Sequence, residues 1–391
     1  MRILHVISSL NPIAGGPQEG LRQFCMAAQA KSNTVEIVTL DDPSAPWLIN
    51  YCCKVHALGP CYGKYRYTPN LRPWLKKNAH HYDSVVVQGL WQYHSLTVWR
   101  VLKKNHIPYV IYTHGMLGPW FKQNFPLKHL KKWMYWPWVE YRVLRDASAV
   151  LFTCEEERVQ ARKSFWLYKC KEAVPGYGIA EPPGDSAAQI SELYNIYPQL
   201  REKKIVLFLG RVHPIKGCDM LVEAFSRVAH LDSALHLVIA GPDNSNIKME
   251  LTKKIADNFL VKDRITWTGM ISGSVKWGAL SAADAFVLPS HHENFGISVV
   301  EAMARGVPVL VSNKVNIWKE IEADGAGLIA NDDLAGTISL LKQWITLPQK
   351  EKDLMRKYAR ASFEKRFHIN SSSERLINIL INIRQQRERV T

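Results

Sequence analysis

A chain of 391 residues exceeds what one ordinary hydrophobic core organises, so two domains are expected. Hydrophobic content of 47% against 22% charged residues excludes a disordered or fibrous chain, and no run of 18 apolar residues is present to span a bilayer. The seven cysteines are odd in number and lack CxxC or Cys/His ligand spacing, which points to ordinary buried thiols in a reduced, cytoplasmic compartment.

In chain order, MRILHVISSL opens the protein. Its apolar run is short and leads into Gly15–Gly16 without a small-residue cleavage pattern, so it reads as a buried first strand rather than a secretory signal. Gly15 and Gly16 let a backbone approach a ligand closely, and Pro17 suits the first turn of the helix PQEGLRQFCMAAQA. A structural tight turn explains a lone Gly-Gly equally well. Further strands follow at VEIVTL, SVVVQG, YVIYTHG and AVLFTC.

The net charge of +15 is unevenly placed. From Pro60 to Arg145 there are fourteen Lys and Arg against Asp83 and Glu140, together with seven of the thirteen tryptophans. Basic side chains among interfacial aromatics fit a surface meeting anionic lipid headgroups or an anionic acceptor. The plainer alternative is a solvated basic face over core tryptophans. No zinc-finger, RNA-recognition or helix-turn-helix signature supports a nucleic-acid partner.

The strand YVIYTHG ends in His114-Gly115, at the carboxyl edge of its sheet; a lone histidine there is more often structural than catalytic. Thr153-Cys154-Glu155-Glu156 reads as a capping box starting a helix. GYGIAEPPGDSAA, residues 176–188, is rich in Pro, Gly and small residues and is the best linker.

Strands KIVLFLG, LHLVIAG, RITWTG, AFVLPS and VPVLVS alternate with helical segments in the second half. Such runs imply parallel sheets buried on both faces. The predicted architecture is α/β, with two Rossmann-like doubly wound domains facing across a cleft: residues 1–180 and 190–368, the last helix of about 370–391 crossing back onto the first. The terminal RQQRERV is charged and expected to fray.

KIVLFLG ends at Gly210, and the loop RVHPIKG presents Arg211 and Lys216 at the sheet edge. Arg offers a planar fork matched to phosphate oxygens and Lys a mobile point charge, although a solvated basic turn would look the same. Beyond AFVLPS come Glu293, the triplet Asn294-Phe295-Gly296 and a helix carrying Glu301, which Gly306 stops. Free N–H groups at that helix start suit an anion, and two carboxylates suit sugar and ribose hydroxyls. Together these features describe a site for a nucleotide-sugar.

These motifs resemble the retaining family 4 group (glycosyl transferases group 1) of the GT-B glycosyltransferases. Glu293 through Glu301 matches the family's E-x7-E element, and Gly210-Arg211 through Lys216-Gly217 its G-R-x4-K-G element. The resemblance covers essentially the full length and is most specific from about 205 to 325. It implies that Arg211 and Lys216 bind the donor diphosphate and Glu301 the ribose. It further implies that Glu293, with the backbone of Asn294, Phe295 and Gly296, holds the transferred sugar. ITWTGMI would set the Met270 backbone beside the base, Gly15 and Gly16 would lie near the phosphates, and His114 becomes functional.

The implied reaction moves a sugar from a nucleotide-diphosphate-sugar to a hydroxyl of a glycan or lipid-linked saccharide, in exopolysaccharide or surface-glycan synthesis. The donor is a substrate, and no cofactor or metal is called for, since Arg211, Lys216 and the helix start do that work. Val174-Pro175-Gly176-Tyr177-Gly178 departs from the V-P-N-G-V of many relatives. A nucleotide-sugar epimerase of the same architecture and a non-catalytic basic binding protein are the alternatives.

Overall fold

A computed structural model describes residues 1–124, 126–243, 246–256, 258 and 261–389. It divides into two units, one of Met1–Ala180 with Ile369–Thr391, the other of Glu181–His368.

Unit 1 is built on seven parallel strands: β1 Arg2–Ile7, β2 Thr34–Thr39, β3 Lys54–Ala57, β4 Ser84–Gln88, β5 Tyr109–Tyr112, β6 Ala149–Leu151 and β7 Glu172–Ala173. Their spatial order is β3-β2-β1-β4-β5-β6-β7. Chain order therefore reverses direction between β1 and β4, where the carboxyl ends of doubly wound sheets leave a crevice. Ile7 pairs with Gln88 and Gln88 with Tyr112, which places these residues side by side at that end. Alternate strand residues face two cores. Leu4, Val6, Val85 and Val87 pack with Trp136 and Val143, whereas Ile3, Ile7 and Val86 pack with the helix Gly16–Ala30. Leu376, Ile377 and Leu380 of the last helix, Ile369–Glu388, join the second core.

Unit 2 repeats the design with β8 Lys204–Leu209, β9 Leu235–Ala240, β10 Ile265–Gly269, β11 Ala285–Leu288, β12 Val309–Ser312 and β13 Gly327–Ala330, all parallel. The order β10-β9-β8-β11-β12-β13 puts its switch point between β8 and β11. Arg211 and Glu293 are on the loops that leave those two strands. The architecture is thus two Rossmann-like α/β domains, as the alternating pattern predicts.

Three details differ from the sequence-based expectation. The strands β3, β7 and β13 lie outside the strand-like runs of the sequence, because they are short, half-buried edge segments without a long apolar run. The expected linker stops early: Asp185 accepts hydrogen bonds from the Ala187 and Ala188 N–H groups and starts a helix at Ser186. The charged C-terminus is helical to Glu388, where Arg384 pairs with Glu388 and with Asp83; the last two residues lie outside the described residues.

Candidate active site

In unit 2 the loop after β8 turns sharply. Gly210 N–H donates to Ala240 O and Val212 N–H to Pro242 O, so the strand end is tied to its neighbour β9. A Cβ on Gly241 would lie 1.8 Å from Gly210 O, so only glycine allows this approach. Arg211 is exposed at the turn. His213 then caps the short turn Pro214–Lys216 by accepting from Ile215 N–H, and Gly217 takes a left-handed conformation with φ 70°. A Cβ there would sit 2.3 Å from Pro289 O, so the loop carrying Lys216 presses against the loop after β11. Ser290 Oγ and His291 N–H both donate to Ile215 O and lock the two loops together.

That lock brings Lys216 to Glu293: the Lys216 Nζ donates to the Glu293 carboxylate in a close ion pair, both side chains mostly buried. Burial pushes the Glu293 carboxyl up, but the adjacent Lys216 charge and hydrogen bond, with help from His292 and the Phe295 N–H, hold it below its ordinary value. The Glu293 backbone is itself fixed by bonds to Lys314 O and from Asn316 N–H. Asn294 and the buried Phe295 follow, and Gly296, with φ 80°, starts the helix Ile297–Ala304. Glu301 is buried in that helix and accepts from Lys276 Nζ at 2.7 Å. Lys276 also lies over the Trp277 ring. Met270 follows Gly269 at the end of β10 and is 75% exposed.

Unit 1 holds the other three positions. Gly15, with φ 99° and exposed, precedes Gly16, the first residue of its helix. His114 takes a left-handed conformation, φ 47°, which a non-glycine residue adopts only when its surroundings enforce it. The enforcement comes from Glu157. Its carboxylate accepts from Gly115 N–H at 2.5 Å, Thr113 Oγ1 at 2.6 Å, Thr153 N–H at 2.7 Å and Thr153 Oγ1 at 2.6 Å. This corrects the capping-box reading. The helix Glu155–Ala161 has Cys154 as its cap residue, and the Glu157 carboxylate accepts from Thr153.

Gln88 joins two imidazoles. Its amide nitrogen meets His5 Nδ1 at 2.9 Å and its oxygen meets His114 Nε2 at 2.7 Å, so in this orientation His114 donates from Nε2. Tyr177, from the segment that departs from V-P-N-G-V, packs edge-on against His114 with ring centroids 6.0 Å apart. Its hydroxyl meets Pro17 O at 3.3 Å, and a Cβ on Gly20 would collide with it.

Burial lowers His114 and His94 to about 4 and His5 to about 3, from the ordinary 6.5. Unfolded, each imidazole takes up a proton below about pH 6.5; folded, these three refuse it until far lower. Their contribution to stability is present above pH 6.5 and falls as the pH drops, by up to about 1.4 kcal/mol per pH unit for each. Burial also raises Glu140 to about 7, which has the opposite slope between pH 4.5 and 7 and offsets one of the three. In unit 2 burial lowers His236 to about 4 and lowers His292 as well. On acidification from pH 7 to 5, both units are therefore expected to lose hydrogen-exchange protection. Protection that holds or rises in both units over that range would contradict this.

The family described as "Glycosyl transferases group 1" matches residues 191–362, and a second, "Glycosyl transferase 4-like domain", matches residues 15–167. The chain belongs to the family 4, group 1 GT-B glycosyltransferases. Among curated relatives of this family member, an alpha-D-kanosaminyltransferase of Streptomyces kanamyceticus is 28% identical over 49% of this chain and 49% of its own. A D-inositol 3-phosphate glycosyltransferase of Nocardia farcinica is 30% identical over 49% of this chain and 43% of its own. The alignments thus span about half the length of these curated relatives, or less. Among solved structures, Anabaena HepE in complex with UDP and glucose superposes with a TM-score of 0.75 at 16% identity, covering 98% of this chain and 100% of that one. A Rickettsia africae glycosyltransferase gives 0.76 at 16%, covering 98% of both. At such identity the likeness concerns the fold.

No sequence motif singles out Lys276, Gln88 or Glu157, and Tyr177 stands out only as a departure from V-P-N-G-V. Each lies far along the chain from the residue it supports, with no motif to announce it. Nor does spacing reveal that Cys25, Cys52 and Cys53 converge, their sulfur atoms all within 4.8 Å of one another.

Proposed function

We propose that this protein is a retaining glycosyltransferase that moves a sugar from a nucleotide-diphosphate-sugar to a hydroxyl of a glycan or lipid-linked acceptor. The observation that carries the reading is the Lys216–Glu293 pair at the switch point of unit 2, beside the start of the helix Ile297–Ala304 and on the sheet edge that also bears Arg211. In the free protein Lys216 has a carboxylate partner. A diphosphate would compete for that cation, leaving Glu293 to accept sugar hydroxyls. Glu301, braced by Lys276, is placed to accept from a ribose diol. HepE, complexed with UDP and glucose, supports the same class of donor.

The two carboxylates bind rather than attack, unlike the acid and nucleophile of a glycosidase. The leaving phosphate would help take the acceptor proton on the same face of the sugar. Arg211, Lys216 and the helix start would neutralise the charge that develops on the diphosphate, a role that metal ions fill elsewhere, so we infer no metal requirement. Exopolysaccharide or surface-glycan synthesis is the proposed setting. An epimerase would act on the donor alone, so a mass increase of an added acceptor separates the two.

Binding is tested by melting the protein with nucleoside diphosphates. At 100 times the dissociation constant a ligand adds about 2.7 kcal/mol, a rise of several degrees. No shift with any of the common nucleoside diphosphates at millimolar concentration would sink the assignment.

We also propose that the basic, tryptophan-rich part of unit 1 docks on an anionic membrane surface. The helix Pro126–Tyr135 and its surroundings expose Leu127, Leu130, Trp133, Met134 and Trp138, whereas Trp136 is wholly buried. The side chains of Phe121, Gln123 and Lys128, and all of Phe125, lie outside the described residues. Among the described residues, no helix is long and apolar enough to cross a membrane. Flotation with anionic liposomes at low salt should carry the protein upward, and Trp138→Ser with Leu127→Ser should reduce it. Failure of the unaltered protein to float would refute docking.

A further inference from the structure

Apart from the donor residues, one group of chemically reactive side chains converges in unit 1. Cys25 lies on the helix Gly16–Ala30, three turns from Gly15, while Cys52 and Cys53 end the loop that precedes β3. All three cysteines are free thiols; Cys25 is wholly buried, and the other two are partly exposed. Their sulfur atoms all lie within 4.8 Å of one another. We propose that Cys25, Cys52 and Cys53 form a binding site for one soft, thiophilic cation of the zinc(II) or copper(I) class.

The spacing argues for a cation among the three sulfurs. Thiolates bound to one metal at about 2.3 Å stand roughly 3.8–4.0 Å apart, so closing this triad requires shifts of about 1 Å or less. A disulfide would bring two sulfurs to about 2.05 Å and leave the third unused. Soft sulfur donors select zinc and copper(I) over calcium or magnesium. Arg22, ion-paired with Glu19 at 2.7 Å, lines the cleft beside Cys52.

The triad is reachable. A cleft of about 450 Å3 is lined by Gly15, Glu19, Arg22, Trp47, Tyr51 and Cys52. Among the described residues the triad includes no fourth His, Asp, Glu or Cys, so zinc would keep one position for an exchangeable ligand from the cleft, while copper(I) is satisfied by three sulfurs. Binding releases to solvent the protons that the thiols carry, with no change of oxidation state. An occupied site would pin the loop before β3 onto the helix that begins at Gly16.

The test uses the full chain, reduced and freed of metal. Cobalt(II) is titrated as the zinc probe, following sulfur-to-cobalt charge transfer, and copper(I) is titrated against a chromophoric chelator. One equivalent of either ion should bind. Cys25→Ser, Cys52→Ser and Cys53→Ser should each abolish that binding, with Cys61→Ser and Cys170→Ser as unaffected controls. Cys52 is only partly buried, so its variant keeps the test informative if Cys25→Ser fails to fold. Saturation with cobalt supports a zinc-type site and saturation with copper alone a three-sulfur copper site. Binding of neither ion, or binding that survives Cys52→Ser, overturns the proposal.

Discussion

Lys216→Ala is expected to lower turnover by about 10²–10³-fold, the usual loss on removing one group that stabilises charge developing in a transition state. The negative charge on the leaving diphosphate grows as the glycosidic bond breaks, so the lysine contributes more to the transition state than to the bound donor. The fall should appear mainly in kcat, with nucleoside diphosphate binding reduced much less. The ion pair adds a second signature. With Lys216 gone, burial is left to dominate at Glu293, whose carboxyl should rise above its ordinary value and shift the acid limb of the pH–rate profile upward. Lys216→Arg keeps the charge and should restore Glu293 without restoring the full rate, because a fork does not reproduce a point charge. A near-normal rate for Lys216→Ala with a cognate donor would remove the lysine from the mechanism.

Glu157→Ala should destabilise unit 1 by about 3 kcal/mol or more. Four donors from three residues converge on this one buried carboxylate, and hydrogen bonds to charged groups are worth about 1.5–3 kcal/mol each. Deleting it leaves the Gly115 and Thr153 N–H groups without that acceptor. In a unit of this size such a loss lowers the melting temperature by roughly 6–12 °C. Glu157 also holds His114 in its left-handed conformation, so activity should fall in variants that remain folded. Glu157→Gln preserves the volume and most of the acceptor set and should recover part of both losses. If Glu157→Ala melts within a degree of the parent, the carboxylate does not organise this turn.

How much of this could be foreseen varies by element. The strands β1, β4, β8, β9 and β11 are continuously buried and mostly apolar because helices cover both faces of their sheets, and composition shows this directly. Edge strands such as β7 and β13 are short and half-buried, and their sequences carry less of that signal. Arg211, Lys216, Glu293 and Glu301 stood out because each follows a strand end at a spacing the family shares. Lys276 and Glu157 did not. A charged residue on a helix looks like solvated surface until its partner is known.

Local sequence by itself determined the alternation of strands and helices, the two-domain α/β class and the candidate donor residues, since apolar periodicity and glycine placement act over a few neighbours. Tertiary structure alone decided which side chains meet across long stretches of chain: Lys216 with Glu293, Lys276 with Glu301, Glu157 with Gly115, and Cys25 with Cys52 and Cys53. Such pairings depend on strand order and on loops closing at one sheet edge. That order is set by the packing of whole helices onto sheets, which no local window of residues encodes.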